Sequence, residues 1–316
     1  MDFFKIINEE INEIEAVLKE KTLSDIEFLF NSSSYILKSG GKKLRPVLLV
    51  LSAKACNFNG GKRYINLACA LELIHTATLI HDDVIDEATL RRGKQTLNSK
   101  YDNKLSILLG DYLYSKAVGL IISDGEKRIM EIVADTVSQI CEGEILQTLK
   151  ANTLPKEHEY LNMVEKKTAI FFSACCKIGG LISGVSQQTV DSLASYGLNL
   201  GTAFQITDDI LDLISDEVKT GKSTKNDLLN GKFTLPVIYA ANYSTPTELK
   251  ILTNRSEKEN ILKLIRKYGG LEYSQNRAKN YVDVAKQTLN SLDNNQYKDA
   301  LLNLADYTME RVESNQ

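Results

Sequence analysis

Two runs of aspartate, each set into an apolar stretch, constrain this chain more than any other feature. Leu79-Ile80-His81-Asp82-Asp83-Val84-Ile85-Asp86 closes an apolar segment that begins at Tyr64. Phe204-Gln205-Ile206-Thr207-Asp208-Asp209-Ile210-Leu211-Asp212 repeats the same acid spacing far downstream. Residues four apart on a helix share a face, so Asp82 aligns with Asp86 and Asp208 with Asp212. Ionised carboxylates in low-dielectric surroundings cost several kcal/mol each unless something compensates them. No Lys or Arg lies within a turn of either motif's first Asp. A divalent metal is the economical compensation, and hard oxygen ligands favour Mg²⁺ over zinc.

The 316 residues are 43% hydrophobic and 25% charged, enough for a large core and too apolar for disorder. No Pro- or Ser-rich linker divides them, so residues 1–316 read as a single domain. Four Pro and no Trp suit long, uninterrupted helices. A net charge of -3 gives no electrostatic case for nucleic acid. Cys56, Cys69, Cys141, Cys175 and Cys176 show no C-x-x-C spacing and sit mostly in apolar runs, as reduced, buried thiols of a cytoplasmic protein do. Met1 to Lys21 is acidic and amphipathic, unlike a signal peptide. No apolar run reaches about 18 charge-free residues, so no transmembrane segment is expected.

Phe3, Phe4, Ile7, Ile11, Ile14 and Leu18 recur at helical spacing and predict a first amphipathic helix. Its acidic face favours core or dimer packing over a bilayer. Further helices are expected over 24–38, from Pro46 to Gly60-Gly61, and over 64–87, 104–123, 126–150, 156–184, 188–215, 234–242, 256–268, 271–289 and 297–312. Residues 91–103 and 221–231 read as loops. No strand-like alternation persists, and the fold class is all-α. Gly197 and Gly201, four apart, would let a neighbouring helix approach closely.

Lys42, Arg45, Arg91, Arg92, Lys167, Lys222 and Lys232 flank helix ends or the acidic motifs. Arg offers forked contacts to phosphate and Lys a point charge. Together with a metal held by carboxylates, they suit a ligand bearing a diphosphate. There is no G-x-x-x-x-G-K-[ST] for a nucleotide and no Ser-His-Asp or Cys-His pairing for acyl transfer. Three His, His75, His81 and His158, are too few for a histidine-built metal site. Residue chemistry therefore reaches metal-dependent work on a diphosphate and does not identify the organic group.

Here the chain closely resembles the trans-isoprenyl diphosphate synthases, or polyprenyl synthetases, from Gly40 to about Arg311. The motifs that carry the resemblance are Gly41-Lys42-Lys43-Leu44-Arg45-Pro46, His75-Thr76-Ala77-Thr78-Leu79-Ile80-His81-Asp82-Asp83, Arg91-Arg92-Gly93, Gly110-Asp111, Lys167-Thr168, the second Asp motif, and Gly231-Lys232-Phe233-Thr234-Leu235-Pro236. The resemblance implies a bundle of long helices around a deep central cavity, forming a homodimer. It implies that Asp82, Asp86 and Asp208 bind Mg²⁺, three ions when substrate is present, supported by Asp83, Asp209 and Asp212. Arg91, Lys167, Thr168, Gln205 and Lys222 would hold an allylic diphosphate, and Lys42, Arg45, His75 and Arg92 isopentenyl diphosphate. Lys232 joins the substrate-binding set, although Lys225 stands where the family often has Gly. The implied mechanism is departure of the allylic diphosphate, attack on the carbocation by the isopentenyl double bond, and loss of a proton to the released diphosphate.

Family resemblance makes the cavity floor the determinant of product length. Helical geometry puts Ala77 and Thr78 one turn below Asp82. Short-chain members often carry bulky aromatics there, whereas Ala and Thr leave room. Leu73, Ile74, Val133, Val137 and Ile140 are further candidate lining, and none is aromatic. The expectation is a long all-trans product, about C35 to C45 and centred on octaprenyl, grown from farnesyl diphosphate in a tunnel that rewards buried hydrocarbon. Such a product would draw a cytoplasmic enzyme towards membranes. The alternatives are a geranylgeranyl or farnesyl synthase, a class I terpene cyclase, which the second Asp motif argues against, and one subunit of a hetero-oligomeric synthase.

Overall fold

The computed structural model describes residues 2–38, 40–214, 232–253 and 258–314. Lys222, Lys225, Gly231 and the expected loop over 221–231 lie outside them. Among the described residues the fold is all-α apart from one two-stranded hairpin. The elements are α1 (Asp2–Lys5), α2 (Asn8–Lys21), α3 (Glu27–Leu37), α4 (Leu44–Ala55), α5 (Arg63–Ile85), β1 (Leu90–Arg91), β2 (Lys94–Gln95), α6 (Leu97–Lys100), α7 (Asn103–Asp124), α8 (Lys127–Leu149) and α9 (Glu157–Val164). A π-helical turn over Glu165–Ala169 leads into α10 (Ile170–Ile182) and α11 (Gln187–Ile214). The remainder is α12 (Leu235–Tyr243), α13 (Pro246–Thr253), α14 (Lys258–Lys267), α15 (Gly270–Thr288) and α16 (Gln296–Glu313).

The core forms in two parts joined by α11. The larger is built from α4, α5, α7 and α10, with Leu48, Leu73, Ile74, Leu109, Cys176 and Leu193 buried together. The smaller gathers Ile206 and Ile210 of α11 with Leu235, Ile238, Ile261 and Ile265. At 1.5 Å per residue, the 28 residues of α11 run about 42 Å and carry the second Asp motif out of the large core into the small one. The first motif occupies the last turn of α5, with Asp86 as its C-cap. That end of a helix is its negative pole, so carboxylates there demand a cation all the more.

Several boundaries differ from expectation for visible reasons. The first helix breaks at Ile6-Ile7, where Ile7 turns fully into the core. α2 then packs Ile14 and Leu18 against α5 and pairs Glu10, Glu13 and Glu15 with Lys54, Lys62 and Lys43. The expected loop over 91–103 holds the hairpin and α6. Arg92 at φ 52° and Gly93 at φ 73° make its two-residue turn, and two consecutive positive φ values match the twist of a tight hairpin. The helix expected over 156–184 is interrupted by the π-turn, which carries Lys167 and Thr168. α13 was not expected, although Thr245-Pro246-Thr247-Glu248 bears a capping-box signature. Glu248 N–H donates to Thr245 Oγ1 at 3.4 Å, and Thr245 N–H to Glu248 Oε2 at 3.0 Å.

By length and composition α7 is, among the described residues, the one helix apolar enough to cross a membrane. Its apolarity serves packing: Leu109, Gly110, Leu113 and Ala117 are buried, and α7 is the main neighbour of α5. All five cysteines are free thiols. Cys69, Cys175 and Cys176 are buried as expected, and Cys141 is exposed.

Gly197 and Gly201 do admit a close helix. A Cβ on Gly197 would lie 2.5 Å from the Phe172 carbonyl oxygen, and one on Gly201 would lie 2.6 Å from Ala169 Cα. Gly197→Ala gains about 1 kcal/mol of helix propensity. It also drives a methyl into backbone that cannot swing aside, an overpacking cost of about 3 kcal/mol. The expected outcome is a net loss of about 2 kcal/mol, read as a lower denaturant midpoint with an unchanged slope.

Candidate active site

The last turns of α5 and the motif-bearing end of α11 face one cavity of about 1200 Å³. All six motif aspartates line it. So do Lys42, Arg45, Arg91, Arg92, Lys167 and Lys232, together with His75, Thr168 and Gln205. Of the two positions expected at the floor, Thr78 lines the cavity. Ala77 is only 2% exposed, is packed into the core, and is not on the described wall. Ile140 also reaches the cavity, whereas Leu73, Ile74 and Val133 belong to the core.

On the first motif each acid meets a cation from a different part of the chain. Burial pushes the Asp82 carboxyl up to about 6. Nearby Lys167 opposes that rise, while Glu144 and Asp86 add to it. Asp83 is buried, and Arg91 Nε donates to its Oδ1 at 2.7 Å. Burial raises this carboxyl as well, against the pull of Arg91. Lys232 Nζ donates to Asp86 Oδ1 at 2.8 Å. Burial pulls the Lys167 ammonium down, but Asp82 and Glu144 together hold it above the usual lysine range.

The second motif is wired differently. Arg311 of α16 pairs with Asp208 and lies over the Phe204 ring, 4.4 Å from its centroid. Asp209 accepts from Tyr160 OH at 2.6 Å and from Gln205 Nε2 at 2.8 Å. Thr168 Oγ1 donates to Gln205 Oε1 at 2.8 Å.

A cationic wall lines the same cavity as the acids. Arg45 sits over the Phe172 ring at 4.9 Å, Lys42 donates to the Tyr307 hydroxyl, and Arg92 donates to the Gly40 carbonyl. Burial lowers the Arg45 guanidinium, and Glu72 opposes that shift. Burial also raises the Glu72 carboxyl to about 7. His75 is held well below the usual imidazole range, first by burial and then by Arg45, Arg92 and Arg91, so it is neutral. Arg45 Nε and Glu72 Oε2 are buried without a hydrogen-bond partner among the described residues. An unpartnered buried donor of this kind costs about 1–3 kcal/mol, and an anionic oxygen would satisfy it.

Among the described residues no three His, Cys, Asp or Glu side chains gather closely enough to hold a metal by themselves. Asp82, Asp86 and Asp208 therefore do not form a closed cage. They offer hard oxygen donors on two walls of one cavity. That fits a divalent cation whose shell is completed by ligand oxygens and water, the usual habit of Mg²⁺. Sequence reasoning missed Tyr160, Glu144, Tyr307 and Arg311, whose partners are distant in the chain. It could have found Glu72, which lies three residues before His75 on the same helix face.

Comparison with known proteins agrees with this geometry. The family model described as Polyprenyl synthetase matches residues 26–268. The chain is 35% identical over 306 residues to an octaprenyl diphosphate synthase of Escherichia coli K12, covering 94% of each chain. It is 37% identical over 296 residues to a geranylgeranyl diphosphate synthase of Methanosarcina mazei, covering 90% of each. A solved polyprenyl synthase from Caulobacter crescentus, complexed with calcium and isoprenyl diphosphate, superposes with a TM-score of 0.92 at 32% identity, covering 97% of this chain and 96% of that one. The two facing acid motifs, the cationic wall and these matches lead to one conclusion: the chain belongs to the polyprenyl synthetase family of prenyltransferases.

Proposed function

We propose that this protein condenses an allylic diphosphate, farnesyl diphosphate as the primer, with successive isopentenyl diphosphates to give a long all-trans polyprenyl diphosphate near octaprenyl. The observation that carries the reading is the convergence of both acid motifs and Arg45 on one cavity that Thr78, Ile80 and Ile140 also line. A divalent cation, Mg²⁺, at Asp82, Asp86 and Asp208 would offset charge developing on the departing diphosphate. The chain's own groups do the rest. Lys167 and Arg91 sit beside the first motif to hold that diphosphate. Lys42, Arg45 and Arg92 hold the second diphosphate, and neutral His75 adds a hydrogen bond without adding charge.

Asp82 tests the acid motif through both activity and stability. Its carboxyl titrates higher in the folded chain than the ordinary 3.8, so the folded state binds the extra proton. Stability of the metal-free protein should therefore fall as pH rises from about 4 to about 6. Asp82→Asn should flatten that dependence, abolish thermal stabilisation by Mg²⁺ with pyrophosphate, and cut incorporation of labelled isopentenyl diphosphate about 100-fold.

Product length separates the long-chain reading from a geranylgeranyl synthase, which the Methanosarcina relative keeps in view. Chromatography of products from the purified chain, Mg²⁺, farnesyl diphosphate and isopentenyl diphosphate should show a long polyprenyl chain without any second protein. A C20 product, or none without an added subunit, would overturn this reading. Thr78→Phe should shorten the product by filling the cavity below Asp82. Ala77→Phe should instead lower stability, because Ala77 is packed in the core.

The protein acts as a homodimer in this proposal, supported by an exposed stripe on α7. Leu108, Ser115, Gly119 and Ile122 follow one another at seven, four and three residues, share one helix face and are all exposed, with Leu108 52% and Ile122 60% accessible. Small residues between two apolar ones suit close approach of a second helix. Ile122→Glu should convert a dimer to a monomer in sedimentation equilibrium, and a monomeric parent protein would refute the stripe as an interface.

A further inference from the structure

Tyr160 has no role in the mechanism above, yet it is the end of a hydrogen-bond chain that leads into the cavity. It sits on α9, one turn before the π-turn, and is only 3% exposed. Its hydroxyl donates to Asp209 Oδ2 at 2.6 Å. The other oxygen of Asp209 accepts from Gln205 Nε2 at 2.8 Å, and Gln205 Oε1 accepts from Thr168 Oγ1 at 2.8 Å. An ionised carboxylate only accepts, and an amide side chain has one accepting and one donating end. With Asp209 held from both sides, Gln205 can turn only its NH₂ towards Asp209. Its carbonyl is then turned towards Thr168. One amide hydrogen goes to Asp209, and the second remains for a ligand at the cavity that Gln205 lines.

We propose that Tyr160 is a positioning residue that, through Asp209, fixes the amide of Gln205 so that its donor end serves the diphosphate of the allylic substrate. A flipped Gln205 would present its carbonyl oxygen to an anion and repel it. Tyr160 supplies the constraint from a separate helix, so Asp209 keeps one rotamer whether or not the cavity is filled. Asp209 is thereby committed to protein donors on both oxygens, whereas among the described residues Asp208 forms an ion pair with Arg311. The inference rests on the proposed prenyl transfer and adds to it a residue that acts on the substrate through Asp209 and Gln205.

A double-mutant cycle on the full-length protein tests it. Titration calorimetry with inorganic pyrophosphate and Mg²⁺ reads the anion site directly, and steady-state assays split KM from kcat. Tyr160→Phe should weaken pyrophosphate binding about tenfold and raise KM for the allylic diphosphate by a similar factor, with little change in KM for isopentenyl diphosphate. In a Gln205→Leu background the same change should cost less than twofold, because the amide it orients is gone. Equal losses in both backgrounds, equal rises in both KM values, or no loss at all would overturn the proposal. Should Tyr160→Phe fail to fold, Asp209→Asn takes its place with the same expected selectivity and the same refuting outcomes. A parent protein that condenses no isopentenyl diphosphate would refute the proposed function instead, a result the parent assay shows before any variant is compared.

Discussion

Charge balance around the aspartates ties this molecule together. Acids on α5 are met by Arg91 from the hairpin, Lys232 from the segment before α12, and Lys167 from the π-turn. Those on α11 are met by Arg311 from α16 and by the hydroxyl of Tyr160 from α9. Each partner comes from a different element. Removing one member of a buried pair is far more costly than the pair is stabilising, because it strands a charge. The site thus fixes the mutual placement of the chain's second half more firmly than apolar packing alone would.

Local irregularities concentrate at the same place. Arg92 holds a positive φ that a non-glycine residue adopts only when its surroundings enforce it, and its side chain reaches across to the Gly40 carbonyl. The π-turn adds a residue to the helix at Lys167 and Thr168, turning both towards the cavity. α8 accommodates it with Gly143, where a Cβ would stand 2.9 Å from the Lys167 backbone nitrogen. Regular helix would have been the cheaper local choice at the π-turn, where Lys167 and Thr168 instead make contacts across the site.

Which parts were legible in the sequence follows from the range of the interactions. The helices, both acid motifs and the close packing at Gly197 and Gly201 depend on residues three to four apart, and they could be read directly. Tyr160 with Asp209, Lys42 with Tyr307 and Asp208 with Arg311 pair across 49, 265 and 103 residues, and no local pattern announces them. Ala77 and Thr78 show the limit within a single helix. One residue is about 100° of rotation, so adjacent positions can differ between wall and core, and only the packed neighbours decide which is which. The capping box at Thr245 was local and readable. Nothing about its exposed surroundings distinguished it from an ordinary polar turn.

Core packing and site geometry meet at Phe172. The missing side chains of Gly197 and Gly201 let α11 settle directly on the backbone of Phe172 and Ala169. Ala169 is the last residue of the π-turn that carries Lys167, so the closeness of α11 also sets where that turn lies. The Phe172 ring lies 5.5 Å from that of Phe204, with Arg45 over the first and Arg311 over the second. Two guanidiniums, one from each end of the chain, thus rest on an aromatic pair whose spacing is set by two glycines. An aromatic face attracts a cation without neutralising it or consuming its N–H donors. Arg45 is thereby held in place with its Nε still unsatisfied among the described residues, which is the condition a site needs if it is to gain free energy when an anion arrives.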